Sequence, residues 1–199
     1  LAAAIIFTYV GQSGEYAVAG YGVGTRIEQV VLLPILGINT AIISIISQNF
    51  GAKNYIRIKE TYFIAIKYAF IIMVISGIIV FILASIITSI FSSDPEVIEY
   101  GKRYLKISAF VLPAYPVFFL SNGFFMALKK SENAMISNFF RNVLNPIVVF
   151  YIAKHIGASF ETFFWIWVGI NWFFSISYFL IVIYYFKSRL DKSSAVIHP

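Results

Sequence analysis

The sequence predicts an all-α integral membrane protein, and two observations carry this prediction. Of the 199 residues, 60% are hydrophobic and 12% are charged, with a mean hydropathy of +0.84, whereas soluble domains carry about 25% charged residues. Runs without any charge, such as residues 70–90, are long enough to cross a hydrocarbon core about 30 Å thick. Water is therefore an unfavourable solvent for most of this chain.

Six helix-length segments make up the predicted bundle. We expect residues 1–10 to be the last turns of a helix whose beginning lies outside this sequence, because Leu1 is not a methionine and no signal peptide pattern follows it. The other five segments each end near Gly, Pro, Asn or a cluster of charges. They cover residues 16–47, 62–91, 104–128, 135–156 and 163–186. We predict a membrane domain over residues 1–186 and a hydrophilic tail over residues 187–199.

The segments are separated by loops whose charges alternate along the chain. Every second loop is basic, and the intervening loops contain acidic residues as well. Because cytoplasmic loops retain Lys and Arg, we predict that the basic loops and the C-terminal tail face the cytoplasm of a cell or inner membrane. The basic residues that predict this orientation are Lys53, Arg57 and Lys59, then Lys129, Lys130 and Arg141, then Lys187, Arg189 and Lys192.

Composition and motifs also exclude several classes of function. The chain has no cysteine, which excludes disulfides, thiolate metal sites and cysteine nucleophiles. The net charge of +6 is scattered between apolar runs, so we expect no nucleic-acid partner. The sequence contains no metalloprotease, P-loop or serine-hydrolase motif. It therefore predicts a protein that is not an enzyme.

Polar residues inside the second segment are candidates for function, because a polar group in a bilayer is costly. Glu28 and Asn39 lie eleven residues apart, about three helical turns, and so share one face that could line a cavity. Arg26 lies close to Glu28 and could pair with it. In the alternative interpretation, Arg26 and Glu28 lie at the membrane surface and contact water.

Asparagines in the later segments have two open interpretations. Asn138, Asn142 and Asn145 are spaced by four and three residues, which places them on one face of an α-helix and favours packing between helices. Asn122 and Asn171 are single polar residues in apolar surroundings. Both could serve packing or contact a substrate.

Residues 19–60 resemble the multidrug and toxic compound extrusion family, known as MATE. The similarity rests on the sequence Arg-Ile-Glu at 26–28, Leu-Pro at 33–34 with Gly-Ile at 37–38, and Gln-Asn-Phe-Gly-Ala at 48–52 ahead of a basic loop. It continues at residues 94–105 and 141–146. Members have twelve helices in two lobes and expel organic cations by using a Na⁺ or H⁺ gradient, so the resemblance implies that this chain is the C-terminal lobe of such a transporter.

The resemblance further implies an N-terminal lobe as partner, a lipid bilayer around both, small cationic amphipathic drugs as substrates, and Na⁺ or H⁺ as the coupling ion without another cofactor. Some members carry an acidic residue on the fourth helix of this lobe, but residues 104–128 contain neither Asp nor Glu. Glu28 is then the candidate for ion binding. Together with it, the candidate pathway or gating residues are Arg26, Asn39, Tyr115, Asn122 and Asn171.

Two other functions remain open at this stage. One is a flippase for a lipid-linked oligosaccharide or cell-wall precursor, which shares the broader fold and would be favoured by a cavity with several arginines. The other is a membrane scaffold subunit that does not transport, which the composition permits but which does not predict the pattern at residues 19–52.

Overall fold

A computed structural model describes the backbone of residues 2–190 and the side chains of residues 3–188. Within that part of the chain, nine α-helices and three short irregular turns account for nearly the whole structure, without a β-strand. The helices are α1 (Ala2–Val10), α2 (Glu15–Val31), α3 (Leu33–Gly51), α4 (Tyr55–Phe91), α5 (Pro95–Ser108), α6 (Ala114–Ala127), α7 (Ser131–Phe139), α8 (Asn145–His155) and α9 (Phe160–Tyr185). A 3₁₀ turn covers Gly11–Ser13, and π-helical turns cover Phe140–Leu144 and Phe186–Leu190.

Three helical stretches of the described residues are long and apolar enough to cross a membrane: Glu15–Gly51, Tyr55–Phe91 and Phe160–Ser188. Each of these three stretches extends beyond the segment that the apolar pattern predicts. The reason is that capping hydrogen bonds, and not hydropathy, decide where a helix starts. The Asn54 side chain accepts the Arg57 backbone N–H at 3.1 Å and starts α4 at Tyr55. The Ser159 hydroxyl accepts the Thr162 N–H at 3.3 Å and starts α9 at Phe160.

The predicted segment over residues 104–128 is two helices, α5 and α6, joined by a tight turn over residues 109–113. Pro113 has no N–H and cannot continue the α5 hydrogen-bond pattern. The carbonyl oxygen of Phe110 instead accepts the Trp172 indole N–H at 2.9 Å. Gly77 packs on the carbonyl of Ala109, where an added Cβ would lie only 2.8 Å from the oxygen. The turn between α5 and α6 is thus contacted by α4 through Gly77 and by α9 through Trp172.

The predicted segment over residues 135–156 is interrupted by the π-helical turn at Phe140–Leu144. The turn adds a residue to one helical winding and changes the direction of the side chains that follow. As a result, Asn142 is exposed, Asn138 is half-buried and Asn145 is fully buried. The three asparagines therefore do not form the single buried stripe that α-helical spacing predicts.

The long segment α2–α3 runs parallel to α5–α6. Gly20 meets Gly101 near the beginnings of α2 and α5, and the Ser47 hydroxyl donates to the Ala127 carbonyl near the ends of α3 and α6 at 3.3 Å. Helix α4 runs antiparallel to both, with the Tyr62 and Ser121 hydroxyl oxygens 2.7 Å apart. Small residues at these crossings allow the backbones to approach closely.

One end of the bundle holds the basic residues that follow α3 and α6. Helices α3 and α6 both end there, each followed by a lysine with positive φ, Lys53 at 56° and Lys129 at 57°. The end of α9 reaches the same region, since the Lys130 ammonium lies 4.9 Å from the centre of the Tyr185 ring. Lys192 of the predicted basic tail lies outside the described residues.

The outer surface is strongly apolar. Large hydrophobic side chains are exposed along the outer face of α4, such as Ile64, Ile75, Ile82 and Ile90, and on α9, such as Phe173 and Leu180. A soluble protein rarely exposes such extensive apolar area. This surface suits contact with lipid tails.

Candidate functional site

The buried carboxylate of Glu28 is the centre of the candidate site. Glu28 lies in the last turns of α2, immediately before the break at Leu32, and only 9% of it is exposed. Its Oε1 accepts the Tyr115 hydroxyl at 2.5 Å, and its Oε2 accepts the Tyr104 hydroxyl. Each oxygen of the Glu28 carboxylate therefore accepts a hydrogen bond. In this interior an unpartnered charge would cost several kcal/mol.

Helix packing explains why these three residues meet. Tyr104 lies on α5 and packs directly on Gly24 of α2, where any larger side chain would collide with its ring. Tyr115 begins α6 just after the tight turn, so its hydroxyl approaches Glu28 from the other half of the broken helix. The site thus spans the break in both parallel segments.

A cavity of about 200 Å³ adjoins Glu28. Its walls combine the acid and its two tyrosines with Tyr21, Thr25, Gln29, Phe164 and Trp167 among others. The Tyr21 ring packs edge-on against Tyr104 with centroids 5.0 Å apart. The cavity is large enough to hold water and gives a small ion access to the carboxylate.

A half-buried cation lies on the far side of Tyr115. The Arg141 guanidinium is centred 4.9 Å from the Tyr115 ring, 4.4 Å from the Phe118 ring and 4.8 Å from the Phe119 ring. Contacts of this kind are attractive because the faces of aromatic rings carry negative potential. Tyr115 therefore contacts Glu28 through its hydroxyl and Arg141 through its ring.

The structure brings together only some of the predicted site residues. Glu28 and Tyr115 are in direct contact. Arg26 is exposed and takes no part in the site, because an offset of two positions, about 200° around the helix, turns it to a different face of α2 from Glu28. Arg26 is therefore not the partner of Glu28 in this structure, and the arginine on the other side of Tyr115 is Arg141.

The predicted asparagines lie elsewhere in the same lobe. Asn39 packs against Gly123 of α6, and its buried Oδ1 has no hydrogen-bond partner within the described part of the chain. Asn122, the neighbour of Gly123, is also buried. The Asn171 amide donates to the Trp167 carbonyl of its own helix at 2.9 Å, which satisfies it locally.

Sequence reasoning missed Tyr104 and Arg141. Tyr104 stands at the first residue of the predicted span over residues 104–128, and Arg141 is grouped with the basic residues of a loop. A usable signal was present: Arg141 lies well inside the apolar pattern of residues 135–156, and a charge at such depth indicates function.

Comparison with known proteins identifies the family. The family profile described as MatE matches residues 1–152 of the chain. The chain belongs to this family. MATE proteins are membrane transporters and not enzymes, which confirms the predicted family, fold class and absence of enzymatic activity.

Curated relatives agree with this assignment. A probable multidrug resistance protein of Bacillus subtilis is 31% identical over 164 residues, which is 82% of this chain and 34% of the relative. The multidrug export protein MepA of Staphylococcus haemolyticus is 24% identical over 96% of this chain and 42% of its own length. A FAD transporter of Shewanella oneidensis is 27% identical over 54% of this chain and 24% of its own. The chain spans no more than about two fifths of these relatives.

Solved structures share the fold. A MATE transporter in the bent conformation superposes with a TM-score of 0.87 at 24% identity, covering 98% of this chain and 43% of the other. The bent form of the Vibrio cholerae transporter VcmN gives 0.86 at 19% identity, with the same coverages. The chain thus corresponds to one lobe of these transporters.

Proposed function

We propose that this chain forms one lobe of a transporter that expels small amphipathic cations in exchange for H⁺ or Na⁺, and that Glu28 binds the coupling ion. The observation that carries this proposal is the burial of Glu28 between two tyrosine hydroxyls beside an accessible cavity. A carboxylate in such a place responds strongly to ion binding, because a proton or Na⁺ removes a charge that the surroundings solvate poorly.

The location of Glu28 links ion binding to movement. A one-residue irregularity at Leu32, across which the Leu32 N–H still donates to the Glu28 carbonyl at 3.0 Å, follows Glu28 within one turn of helix. The turn over residues 109–113 precedes Tyr115. Interrupted helices are common at the ion and substrate sites of secondary transporters, where one half moves relative to the other. Neutralising Glu28 would weaken its hydrogen bonds to Tyr104 of α5 and Tyr115 of α6. It would therefore loosen the contacts of α2 with these two helices.

Exchange then follows from linkage. If an ion and a cationic substrate favour opposite conformations of the lobe, each lowers the affinity of the other by the same factor. The gradient of the ion thereby drives release of the substrate on the opposite side. An N-terminal lobe of the same protein would close the transport path, since relatives are more than twice as long as this chain.

Orientation is part of the proposal. The basic end of the bundle, with Lys53, Lys129, Lys130 and Lys187, would face the cytoplasm of the cell membrane, in line with the preference of cytoplasmic loops for Lys and Arg. The C-terminus would lie on the same side, because α9 ends there.

Cations suit this lobe better than anions. The interior offers aromatic faces and a carboxylate, both of which attract positive charge. A pyrophosphate-linked lipid would instead need several buried arginines, and Arg141 is the one arginine that packs on the buried rings in the described part of the chain. The names of two relatives, a probable multidrug resistance protein and a multidrug export protein, agree with a broad range of drug substrates.

The test is ethidium efflux from energised cells that express the complete gene with Glu28→Gln. We expect efflux to be lost, because the amide keeps the shape of the side chain but binds neither H⁺ nor Na⁺ in exchange. Glu60→Gln is the matched control, since Glu60 is exposed and pairs with Arg57 at 3.4 Å within the same helix. It should transport normally.

Normal efflux by Glu28→Gln at equal expression would overturn the assignment of Glu28. Absence of ethidium efflux in the unchanged transporter would instead count against the cationic substrate class. Glu28→Asp sharpens the result, because a shorter carboxylate should retain a part of the activity that the amide loses.

A further inference from the structure

Three rings form an aromatic cage around Arg141. Tyr115, Phe118 and Phe119 of α6 all lie with their centroids 4.4–4.9 Å from the guanidinium carbon. Cages of this composition recognise organic cations in other proteins, because several ring faces together replace part of the water shell of the cation. In this lobe, the cage is already occupied by a side chain of the protein itself.

A second cavity opens next to the cage. It has a volume of about 270 Å³, lies between α6, α7 and α9, and includes Phe118 in its wall. Phe140, Phe173, Phe174 and Tyr178 also line it. Pockets for drug-sized ligands measure roughly 300–1,000 Å³, so the cavity alone is slightly small and would reach this range if the Arg141 side chain left the cage.

Two hydroxyl groups, those of Ser137 and Tyr178, lie in the cavity wall. They are close enough to interact with each other, but in this geometry neither forms a well-directed hydrogen bond among the described residues. A ligand with an amine or a heteroatom would offer each hydroxyl a better partner.

The backbone beneath Arg141 is suited to a change of position. Arg141 lies within the π-helical turn Phe140–Leu144, which precedes Pro146. Such turns occur frequently at functional sites, and the missing N–H of proline leaves the preceding winding without one regular hydrogen bond. Arg141 is thus attached to an irregular part of α7–α8 and not to a regular helix.

We propose that the aromatic cage is the binding site for the cationic centre of the substrate, and that Arg141 occupies it in the absence of substrate as a tethered competitor. The aromatic body of the substrate would lie in the adjoining cavity. This inference rests on the proposed function and names the place where its substrate binds.

Charge balance defines the ligand class. When a monovalent organic cation replaces the guanidinium, the charge facing Tyr115 and Glu28 stays the same, whereas a neutral or anionic molecule would leave the buried carboxylate without its opposite charge. The site therefore selects planar or aromatic monocations. Because Tyr115 contacts both the cage and Glu28, the exchange of cations is felt at the carboxylate.

The first experiment measures equilibrium binding of ethidium to the purified complete transporter by fluorescence polarisation. In Arg141→Gln we expect ethidium to bind about tenfold more tightly. This factor assumes that Arg141 fills the cage about nine tenths of the time, which leaves about one tenth of the molecules able to bind. Arg141→Lys keeps a competing cation and should bind much more nearly like the unchanged protein. Phe118→Leu removes one ring and should weaken binding. Arg57→Gln, on an exposed ion pair, is the matched control and should not change it.

Unchanged or weaker binding in a folded Arg141→Gln protein would overturn the proposal. A neutral aromatic ligand of similar size provides a further check, because its binding should not improve in this variant. Equal gains for both ligands would show that the cavity had merely become larger, and would also overturn it.

A second measurement needs no substitution and so does not depend on how a variant folds. Ethidium monoazide is bound to the unchanged transporter, activated by light, and the labelled peptides are identified by mass spectrometry. We expect labels within residues 114–144 and in α9 near Tyr178. Labels confined to other peptides would overturn the inference.

The two proposals fail in distinguishable ways. Efflux that depends on Glu28 together with labelling outside the cage would remove the inference and leave the proposed function in place. Labelling at the cage by a transporter that does not expel ethidium would remove the proposed function and keep the binding site.

Discussion

Two glutamates on neighbouring helices, Glu28 of α2 and Glu99 of α5, differ completely in how they are held. The side chain of Glu99 is 45% exposed and forms ion pairs with Lys102 at 2.9 Å and Arg103 at 3.0 Å. Glu28 is 9% exposed and contacts two tyrosine hydroxyls, and Arg141 lies on the far side of the Tyr115 ring.

The difference separates an ordinary surface charge from the charge that we propose to be functional. Hydrogen bonds from Lys102 and then Arg103 hold the pKa of the Glu99 carboxyl below its usual range, yet an exposed pair of this kind contributes about 0–1 kcal/mol to stability. Burying Glu28 costs much more, and hydrophobic residues could fill the same space. Its presence is therefore better explained by ion binding than by stability.

The largest expected effect comes from removing one bond to the buried glutamate. In Tyr115→Phe the ring of the cage remains but the hydroxyl that donates to Glu28 is lost. A hydrogen bond to a charged group contributes about 1.5–3 kcal/mol, so we expect the initial rate of ethidium efflux to fall roughly ten- to a hundredfold.

Tyr184→Phe is the control for this change, because Tyr184 is 72% exposed and lies far from Glu28 along α9. Its efflux should match the unchanged transporter. If Tyr115→Phe also matched it, the hydroxyl would be a structural contact and the contrast between the two glutamates would lose its functional meaning.

An intermediate effect is expected at the crossing of α2 and α5, the two helices that carry these glutamates. A Cβ on Gly20 would lie 2.7 Å from the Gly101 nitrogen and 2.8 Å from the Val97 oxygen, both backbone atoms. Gly20→Ala should therefore separate the helices and destabilise the folded state by about 1–3 kcal/mol, measured as thermal unfolding of the purified complete transporter in detergent.

Gly22→Ala is the matched substitution, since an added Cβ there meets no atom within 4 Å. It should leave stability unchanged or raise it by up to about 1 kcal/mol, because alanine favours the helix. Equal losses in both variants would show that helix propensity and not the crossing decides the effect.

The smallest effect is expected at the exposed glutamate itself. Glu99→Gln should change the free energy of unfolding by less than about 1 kcal/mol and leave efflux intact. The contribution of Glu99 is present above its ordinary pKa and is lost as the pH falls through its lowered pKa in the folded state, so the difference from the unchanged protein should shrink in acid. A loss as large as that in Gly20→Ala would contradict this view.

The sequence by itself determined the class of protein and indicated one candidate residue. An apolar chain of this composition can fold only where lipid replaces water, and Glu28 is identified from its position alone, because a carboxylate in an apolar span needs a reason to be there. The pattern at residues 19–60 was specific enough to indicate the family that comparison confirmed.

Only the tertiary structure decided which residues surround Glu28. Tyr104, Tyr115 and Arg141 lie 76 or more residues away along the chain, and they meet Glu28 through a helix crossing at Gly24, a turn at Pro113 and a π-helical turn. Hydropathy treats each segment as one continuous helix and contains no information on such breaks or on which faces meet. The partner of a buried charge is set by packing between helices, and that packing is long-range.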